Sequence, residues 1–505
     1  LKNLKTGALK RSSLIEAILL FVILALAFYM ALWPRLDYPF PLHVDEWMHL
    51  GYTKSLLNAG HVNFPDPYYG GQWVREGHPE TGYYLWLGTL LLSTGTHWLF
   101  LARLMPALIL GIIAFVAYAW GRKRGFGLEA ALFVTFIHTT IRFLGPAFLV
   151  PVTLGLAFFP LCFILLDKLE QGWRPLFLVI LSLGALFITH GTTAVALGFV
   201  LVIYLVLYLT FSKSPRRQKL PALSCLLLIP VSGLVIYLWN PSFVMKQIEE
   251  IISGEQIPLP PIASPLPQLG YIMLAFIIIG AGFLIARGGW RNYALIIPTA
   301  ILLFFVQFYR RWFNVGPDIL YNRGWLYVML LMALIAGYGL SQLRQLSLGF
   351  FKRWRWGAPL VYLLLAVVVV FSVVLRMNGY AAERYGYDKK DAYYYIVDAT
   401  MYHDFVWIGE ELPQYSKAVL NPYVAWTFVP ISGKYAYITK ALPWGKEEAT
   451  EIRNFMAAGG RDTSWLTERN IDLIYVDIHY TQYHLQNPDL VEVRDKVYIL
   501  RKEGS

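Results

Sequence analysis

The feature that most constrains this chain is a series of apolar runs long enough to cross a lipid bilayer, separated by short gaps whose charge alternates. The first covers Leu14–Trp33. Others follow at Leu99–Trp120, Leu128–Phe143, Pro146–Leu166, Pro175–His190, Thr192–Phe211, Ala222–Trp239, Leu269–Ile285, Tyr293–Phe308, Gly324–Gln342 and Ala358–Val374. A hydrocarbon core needs roughly 20 apolar helical residues to cross it, so these read as about eleven spans. Charge gives them a direction. Alternate gaps hold Arg122, Lys123 and Arg124, then Lys168 and Arg174, then Lys213, Arg216, Arg217 and Lys219. Arg287 and Arg291 continue the pattern, followed by Arg344, Lys352, Arg353 and Arg355. The intervening gaps are poorer in Lys and Arg, the asymmetry expected when basic loops stay in the cytoplasm. With Lys2, Lys5, Lys10 and Arg11 ahead of it, the first run is expected to be an uncleaved anchor with its N-terminus cytoplasmic.

Composition agrees. Of 505 residues 57% are apolar and only 15% charged, with mean hydropathy +0.49, whereas a soluble chain is about a quarter charged. A net charge of +11 would suit nucleic acid, but the basic residues sit where topology asks for them. Cys162 and Cys225 both fall inside apolar runs, which places neither for an exterior disulfide.

Residues 34–98 form the first exterior loop, rich in Pro, Gly and Tyr. Within it Thr81–Thr94 is apolar but too short to span, and suits an interfacial helix. Counting it as a span would invert every later loop and break the charge pattern. After Arg376 charged and turn residues return. Lys417–Leu420, Leu473–Asp477 and Lys496–Leu500 read as strands, Glu447–Ala457 and Ser464–Asn470 as helices. The expectation is a polytopic α-helical membrane protein of the plasma membrane, with residues 1–375 transmembrane. Residues 376–505 would form a C-terminal α/β domain on the exterior.

The chemistry concentrates just after the first run, in Pro41-Leu-His-Val-Asp-Glu-Trp-Met-His-Leu50. Asp45 and Glu46 are adjacent and flanked by His43 and His49. A helix over Trp47–Asn58, closed by Gly60, would put His49 three or four residues from both carboxylates. A plainer reading makes Asp45 the N-cap of a surface helix, with Glu46 favoured by the helix dipole. The exterior side also collects Arg75, Glu76, His78 and Glu80, then Arg142, His190, Arg310, Arg311, Asp318 and Arg323. A carboxylate pair with several arginines suits a base that deprotonates a nucleophile while cations hold a departing phosphate. Each residue has a blander role too. Arg310 and Arg311 can snorkel to headgroups, Arg142 can be structural, and His190 can close a helix end. His43, Asp45 and His49 offer donors for a divalent cation but no firm geometry. Tyr68, Tyr69 and Trp73 suit an interfacial belt as well as a sugar platform.

Four features together resemble the GT-C superfamily of membrane glycosyltransferases. That superfamily includes protein O-mannosyltransferases, the aminoarabinose transferase of lipid A and the catalytic subunit of oligosaccharyltransferase. The features are Asp45-Glu46 after the first span, His78-Pro79 opening an interfacial helix, Ala102-Arg-Leu-Met-Pro-Ala-Leu108, and Tyr321-Asn-Arg-Gly-Trp325 entering a late span. The resemblance implies a donor sugar on a polyprenyl (dolichyl) phosphate or pyrophosphate and a protein, glycan or lipid acceptor. It implies Asp45 as general base or acceptor-orienting group; the reading adopted here takes it as the base, with Glu46 as electrostatic support. His49, Arg75, His78, Glu80, Arg142, His190, Arg310, Arg311 and Arg323 are the expected substrate-binding residues, with Arg323 foremost at the leaving phosphate. Two departures matter. The turn at Arg142–Pro146 lacks the acidic residue many members carry, so a divalent cation is not favoured and no metal ligand is assigned. The Trp-Trp-Asp-Tyr-Gly motif of oligosaccharyltransferases is absent, so asparagine-linked transfer of whole glycans is not expected, and the acceptor group is read as a hydroxyl. A transporter or lipid flippase would need charges deep in its spans or paired broken helices, and these spans are almost free of charge. A non-catalytic assembly subunit would leave the Asp45–Glu46 pair without a task.

Overall fold

The computed structural model describes residues 2–73, 78, 80–137, 145–239, 241, 245, 271–309, 318–350, 367, 371, 394–413, 416–439, 446–477 and 485–501. The chain divides into two compact units. One is built from Leu1–Pro34 with Leu104–Arg384, the other from Arg35–Arg103 with Tyr385–Ser505.

The first unit is helical. Its elements in chain order are α1 (Lys2–Leu32), most of α4 (Trp98–Lys123), α5 (Gly127–Thr135), α6 (Pro151–Leu156), α7 (Phe158–Leu166), α8 (Arg174–Thr189) and α9 (Gly191–Phe211). Then come α10 (Arg216–Trp239), α11 (Tyr271–Arg287), α12 (Trp290–Phe304) and α13 (Asp318–Phe350). Among the described residues five helices are long and apolar enough to cross a membrane: Leu14–Arg35, Trp98–Lys123, Gly191–Phe211, Trp290–Gln307 and Arg323–Leu348. Pro151–Leu166, Arg174–Thr189 and Met273–Arg287 are shorter apolar helices. Nearly all of the expected run Ala358–Val374, and residues 138–143 of the run Leu128–Phe143, lie outside the described residues.

Helix α13 is the centre of this unit. Its apolar stretch is 94% buried, against 17% for the first span, so α13 meets protein on all sides while α1 does not. It crosses α11 at backbone distance. A Cβ on Gly280 would stand 2.1 Å from the Ile335 carbonyl oxygen, and one on Gly339 would stand 2.3 Å from that of Phe276. Without a strong hydrophobic drive between helices in lipid, such close small-residue contacts supply the packing.

The gaps that charge assigns to one side do meet in space. Arg124 grips Asp167 with two hydrogen bonds, Nη2 to Oδ1 at 2.6 Å and Nε to Oδ2 at 3.1 Å. Trp120 Nε1 and the Tyr204 hydroxyl donate to the same carboxylate at 3.0 and 2.9 Å. Arg291 pairs with Glu170 at 3.3 Å and Arg344 with Glu129 at 2.8 Å. Planar, bidentate pairing of this kind suits arginine at a water-poor boundary.

The second unit joins the loop after the first span to the C-terminal residues. Its loop part holds α2 (Val44–Ala59), a short antiparallel pair of β1 (Pro65–Asp66) with β2 (Gln72–Trp73), and α3 (Thr81–Thr94). Helix α3 has the bounds its apolar pattern predicts. Helix α2 ends at Gly60 as expected (φ +70°), but begins at Val44, three residues before Trp47. Its C-terminal part follows as α14 (Ala399–Glu411), β3 (Lys417–Val419), α15 (Ala425–Ser432), β4 (Tyr435–Ala436), α16 (Lys446–Ala457) and α17 (Thr463–Glu468). It closes with β5 (Leu473–Tyr475), β6 (Leu490–Arg494) and β7 (Val497–Leu500). The strands form one sheet in the order β4-β3-β5-β7-β6, parallel across β4, β3 and β5 and antiparallel from β5 to β7 to β6. Ile452, Met456, Leu466 and Ile474 fill the core beneath it. Loop and C-terminal segment are stitched together. Tyr38 Oη donates to the Val397 carbonyl at 2.8 Å, Tyr395 N donates to Leu42 O at 3.1 Å, and α2 packs on α15.

Overpacking a tight core costs about 1–3 kcal/mol or more. Gly339→Leu should therefore lower the melting temperature of the detergent-purified protein sharply. Gly184→Leu, where a Cβ meets nothing within 4 Å, should leave it unchanged.

Candidate active site

The first turn of a helix has backbone N–H groups without intrahelical partners. At α2 they are met by side chains of the motif itself. His43, in extended backbone conformation, is the N-cap, and its Nδ1 accepts from Asp45 N at 3.1 Å. The expectation that Asp45 is the N-cap is thereby corrected. Glu46 closes the box from the other side: its Oε2 accepts from Leu42 N at 2.8 Å and His43 N at 3.4 Å, and its Oε1 meets Arg35. Both charged side chains of that ion pair are about 1% exposed.

The adjacent carboxylates therefore have different tasks. Glu46 is consumed in holding the chain. Asp45 is presented, with its side chain 27% exposed and Oδ1 3.4 Å from His43 Nδ1. Because His43 Nδ1 accepts the Asp45 N–H, the neutral ring carries its proton on Nε2.

His49 is turned elsewhere. Its Nδ1 lies 3.4 Å from Glu80 Oε2, and its ring packs edge-on against Tyr83 with centroids 5.3 Å apart. Two other expected residues, Glu80 and His78, are thus placed on the α3 side of the loop. Tyr84 Oη stands 2.9 Å from His78 Nδ1, and the Tyr52 ring covers the imidazole at 4.4 Å. Tyr52 Oη in turn donates to Asp66 Oδ2 at 3.2 Å, and Tyr68 N donates to Asp66 Oδ1 at 2.9 Å. Asp66 was not singled out from the sequence, where Pro-Asp-Pro reads only as a turn. Burial pushes its carboxyl up to about 6, against the pull of those two hydrogen bonds. Burial also draws His78 down to about 4, so His78 is neutral near pH 7.

His43, Asp45 and His49, the donors offered by the sequence, are not arranged as a three-ligand set. Among the described residues no group of three His, Cys, Asp or Glu side chains is arranged to hold an ion.

In the helical unit His190 both ends α8 and caps α9, the helix-end role its sequence position allows. Its Nδ1 lies 2.6 Å from Thr193 Oγ1, which lies 2.7 Å from Tyr327 Oη. The positive charge of Arg323 acts on both His190 and Tyr327. Neither Thr193 nor Tyr327 lies in a motif that would have marked it. Arg75, Arg142, Arg310 and Arg311 lie outside the described residues.

The two shifted loop groups bend stability with pH in opposite senses. Asp66, raised above its unfolded value, adds stability at low pH that is lost as pH rises through about 6. His78, lowered, adds stability above about 6.5 that is lost as pH falls through about 4. The windows overlap and the effects offset. Asp66→Asn should leave the His78 effect alone, so its melting temperature should climb more steeply from pH 4 to 6.5 than that of the wild type. An unchanged profile would count against the burial of Asp66.

No protein-family model matches the chain, and no curated protein matches its sequence. Solved structures do match. One is the archaeal oligosaccharyltransferase AglB from Archaeoglobus fulgidus, in complex with an inhibitory peptide and a dolichol-phosphate. It aligns with a TM-score of 0.61 at 11% identity, over 90% of this chain and 69% of AglB. An Archaeoglobus fulgidus oligosaccharyltransferase tethered with an acceptor peptide gives 0.58 at 11% identity, over 91% of this chain and 68% of that one. Arabinofuranosyltransferase AftD from Mycobacteria gives 0.58 at 16% identity over 95% of this chain, which spans 37% of AftD. Identities this low speak for fold alone. The chain shares its fold with an oligosaccharyltransferase and an arabinofuranosyltransferase.

Proposed function

We propose that this chain is a glycosyltransferase that moves a sugar from a polyprenyl-phosphate carrier to an acceptor hydroxyl on the exterior face of the membrane. One observation carries the reading. Of two adjacent carboxylates, Glu46 is buried against Arg35 while Asp45 stands partly exposed beside His43 at the start of α2. A purely structural motif would need only the first. The AglB structure holds a dolichol-phosphate, which supports a lipid-linked phosphate as the donor class.

In the proposed reaction Asp45 takes the proton of the acceptor hydroxyl as its oxygen bonds to the anomeric carbon. The bond from that carbon to the phosphate oxygen breaks, and the lipid phosphate leaves with the electron pair. Negative charge grows on the phosphate as this happens, so a cation aimed at it stabilises the transition state more than the bound donor. Arg323, at the start of the α13 span, is assigned that role. Arg75, Arg142, Arg310 and Arg311 are proposed to assist in binding. The chain is further proposed to have eleven spans, with its N-terminus cytoplasmic and its C-terminal α/β domain on the exterior. No bound metal is required by this scheme.

Asp45→Asn should abolish transfer from a short-chain polyprenyl-phosphate sugar while leaving the melting temperature unchanged. Near-normal turnover would remove Asp45 from the chemistry. Arg323→Ala should lose roughly 2–4 kcal/mol of transition-state stabilisation, and Arg323→Lys should recover only part of it. Orientation can be read separately. Single cysteines at the exposed positions Asn63 and Asp495 should both react with an impermeant thiol reagent from outside the cell. Labelling of one alone would break the eleven-span topology.

A further inference from the structure

The helical unit holds a cavity of its own, on the side where the basic gaps meet. Its volume is about 210 Å³, below the roughly 300 Å³ at which small-molecule sites begin, which suits a group of phosphate size. The turn at Gly288 and Gly289, with φ of +63° and +91°, joins α11 to α12 so closely that Arg287 and Arg291 line the same space. Arg124, just beyond α4, and Tyr338 of α13 close it.

Three arginines therefore line the cavity, and none of its described lining residues is acidic. Two of them have carboxylates outside the lining: Arg124 is held by Asp167, and Arg291 reaches Glu170 at 3.3 Å. Arg287 differs. Its Nη1 donates to the Tyr338 hydroxyl at 2.7 Å, and its guanidinium lies 5.7 Å from the centre of the same ring. Both contacts are with one neutral side chain, and no carboxylate among the described residues pairs with Arg287. A guanidinium has five N–H groups, so most of this one stays open to an anion. Tyr338 is buried and packs edge-on against Phe126 at 5.4 Å, so the arginine it holds is fixed at the cavity wall rather than free to reach any headgroup. Beside the cavity α11 turns an apolar face outward. Ile278 and Ile285, seven residues apart on one face, are 64% and 55% exposed, and Leu284 next to Ile285 lines the cavity.

We propose that this cavity binds an anionic phospholipid, with its phosphate on Arg287 and Arg291 and its acyl chains along the face of α11 that carries Ile278 and Ile285. The planar fork of arginine matches phosphate oxygens in pairs, and a lipid supplies the negative charge that Arg287 lacks from the chain. A lipid that also carries an ammonium group would bring a cation into a wall of three arginines and bind less well. Such a site is independent of the proposed transfer reaction, because binding is read without turnover.

The test is native mass spectrometry of the detergent-purified protein, stripped of lipid and titrated with phosphatidylglycerol, with phosphatidylcholine of the same acyl chains, and with inorganic phosphate. Saturable binding of phosphatidylglycerol is expected, about tenfold or more tighter than phosphatidylcholine and than phosphate alone. Arg287→Gln should weaken that binding by about tenfold or more. Because Arg287 also holds Tyr338, a second variant guards against misfolding. Arg291→Gln leaves only the half-exposed Glu170 without its partner, so it should weaken the lipid severalfold at an unchanged melting temperature. Arg122, paired with Glu16 and 60% exposed outside the cavity, is the control, and Arg122→Gln should bind like the wild type. The proposal is overturned by phosphatidylcholine binding as tightly as phosphatidylglycerol, or by Arg287→Gln and Arg291→Gln both binding like the wild type. It is equally overturned by Arg122→Gln losing as much as Arg287→Gln, which would mean a diffuse basic surface, or by phosphate alone binding as tightly as the lipid.

Discussion

The ion pair between Arg35 and Glu46 sits where water does not reach, and bringing two charges there costs several kcal/mol each before any attraction is counted. The geometry recovers that cost only because the carboxylate is hydrogen-bonded as well. Its second oxygen accepts from Leu42 N and His43 N, the backbone groups immediately ahead of α2. The pair thus ties Arg35 to the first turn of the loop helix. With the chain pinned at 42–43, His43 must cap and Asp45 must fall in the first turn. The exposure of Asp45 follows from the burial of Glu46.

Around this anchor the loop is lined with tyrosine rather than aliphatic side chains, and the choice has a physical reason. A tyrosine supplies apolar area and one hydrogen-bonding group at its tip. Tyr68 uses both: its hydroxyl donates to Trp47 O at 3.0 Å while its ring packs on Trp426 of α15 at 4.8 Å. Gly51 makes room for it, since a Cβ there would stand 2.1 Å from the Tyr68 hydroxyl. Tyr52 joins Asp66 to His78 in the same way. Polar groups buried in this bed are held by short-range bonds from several elements, which keeps α2, and so Asp45, from shifting.

Much of this architecture is legible in local pattern. Thr81–Thr94 is apolar, short and followed by Gly95, and it forms the helix with those bounds. Strands β3, β5 and β7 are runs of apolar residues between turn signals, and each forms where that pattern points. Strand β4 has only two residues and β6 carries Glu492 and Arg494, so neither announces itself. At the site, the helix period does place His49 near Asp45 and Glu46 in sequence terms. What it cannot contain is Glu80, which arrives from the start of α3 and takes the imidazole. Nor does adjacency tell Asp45 from Glu46, because Arg35, eleven residues upstream, makes that choice. Asp66 and Lys54 look like an ordinary turn and an ordinary helix lysine until the tertiary structure buries them.

The claim that one buried pair sets the site is tested most directly by a double-mutant cycle on Arg35 and Glu46, read as thermal stability of the purified protein. The account predicts that Arg35→Met and Glu46→Met each cost about 3–5 kcal/mol, because each strands a buried charge. The double variant, which strands neither, should recover a large part of that loss. Single variants as stable as the wild type, or losses that simply add in the double variant, would contradict it.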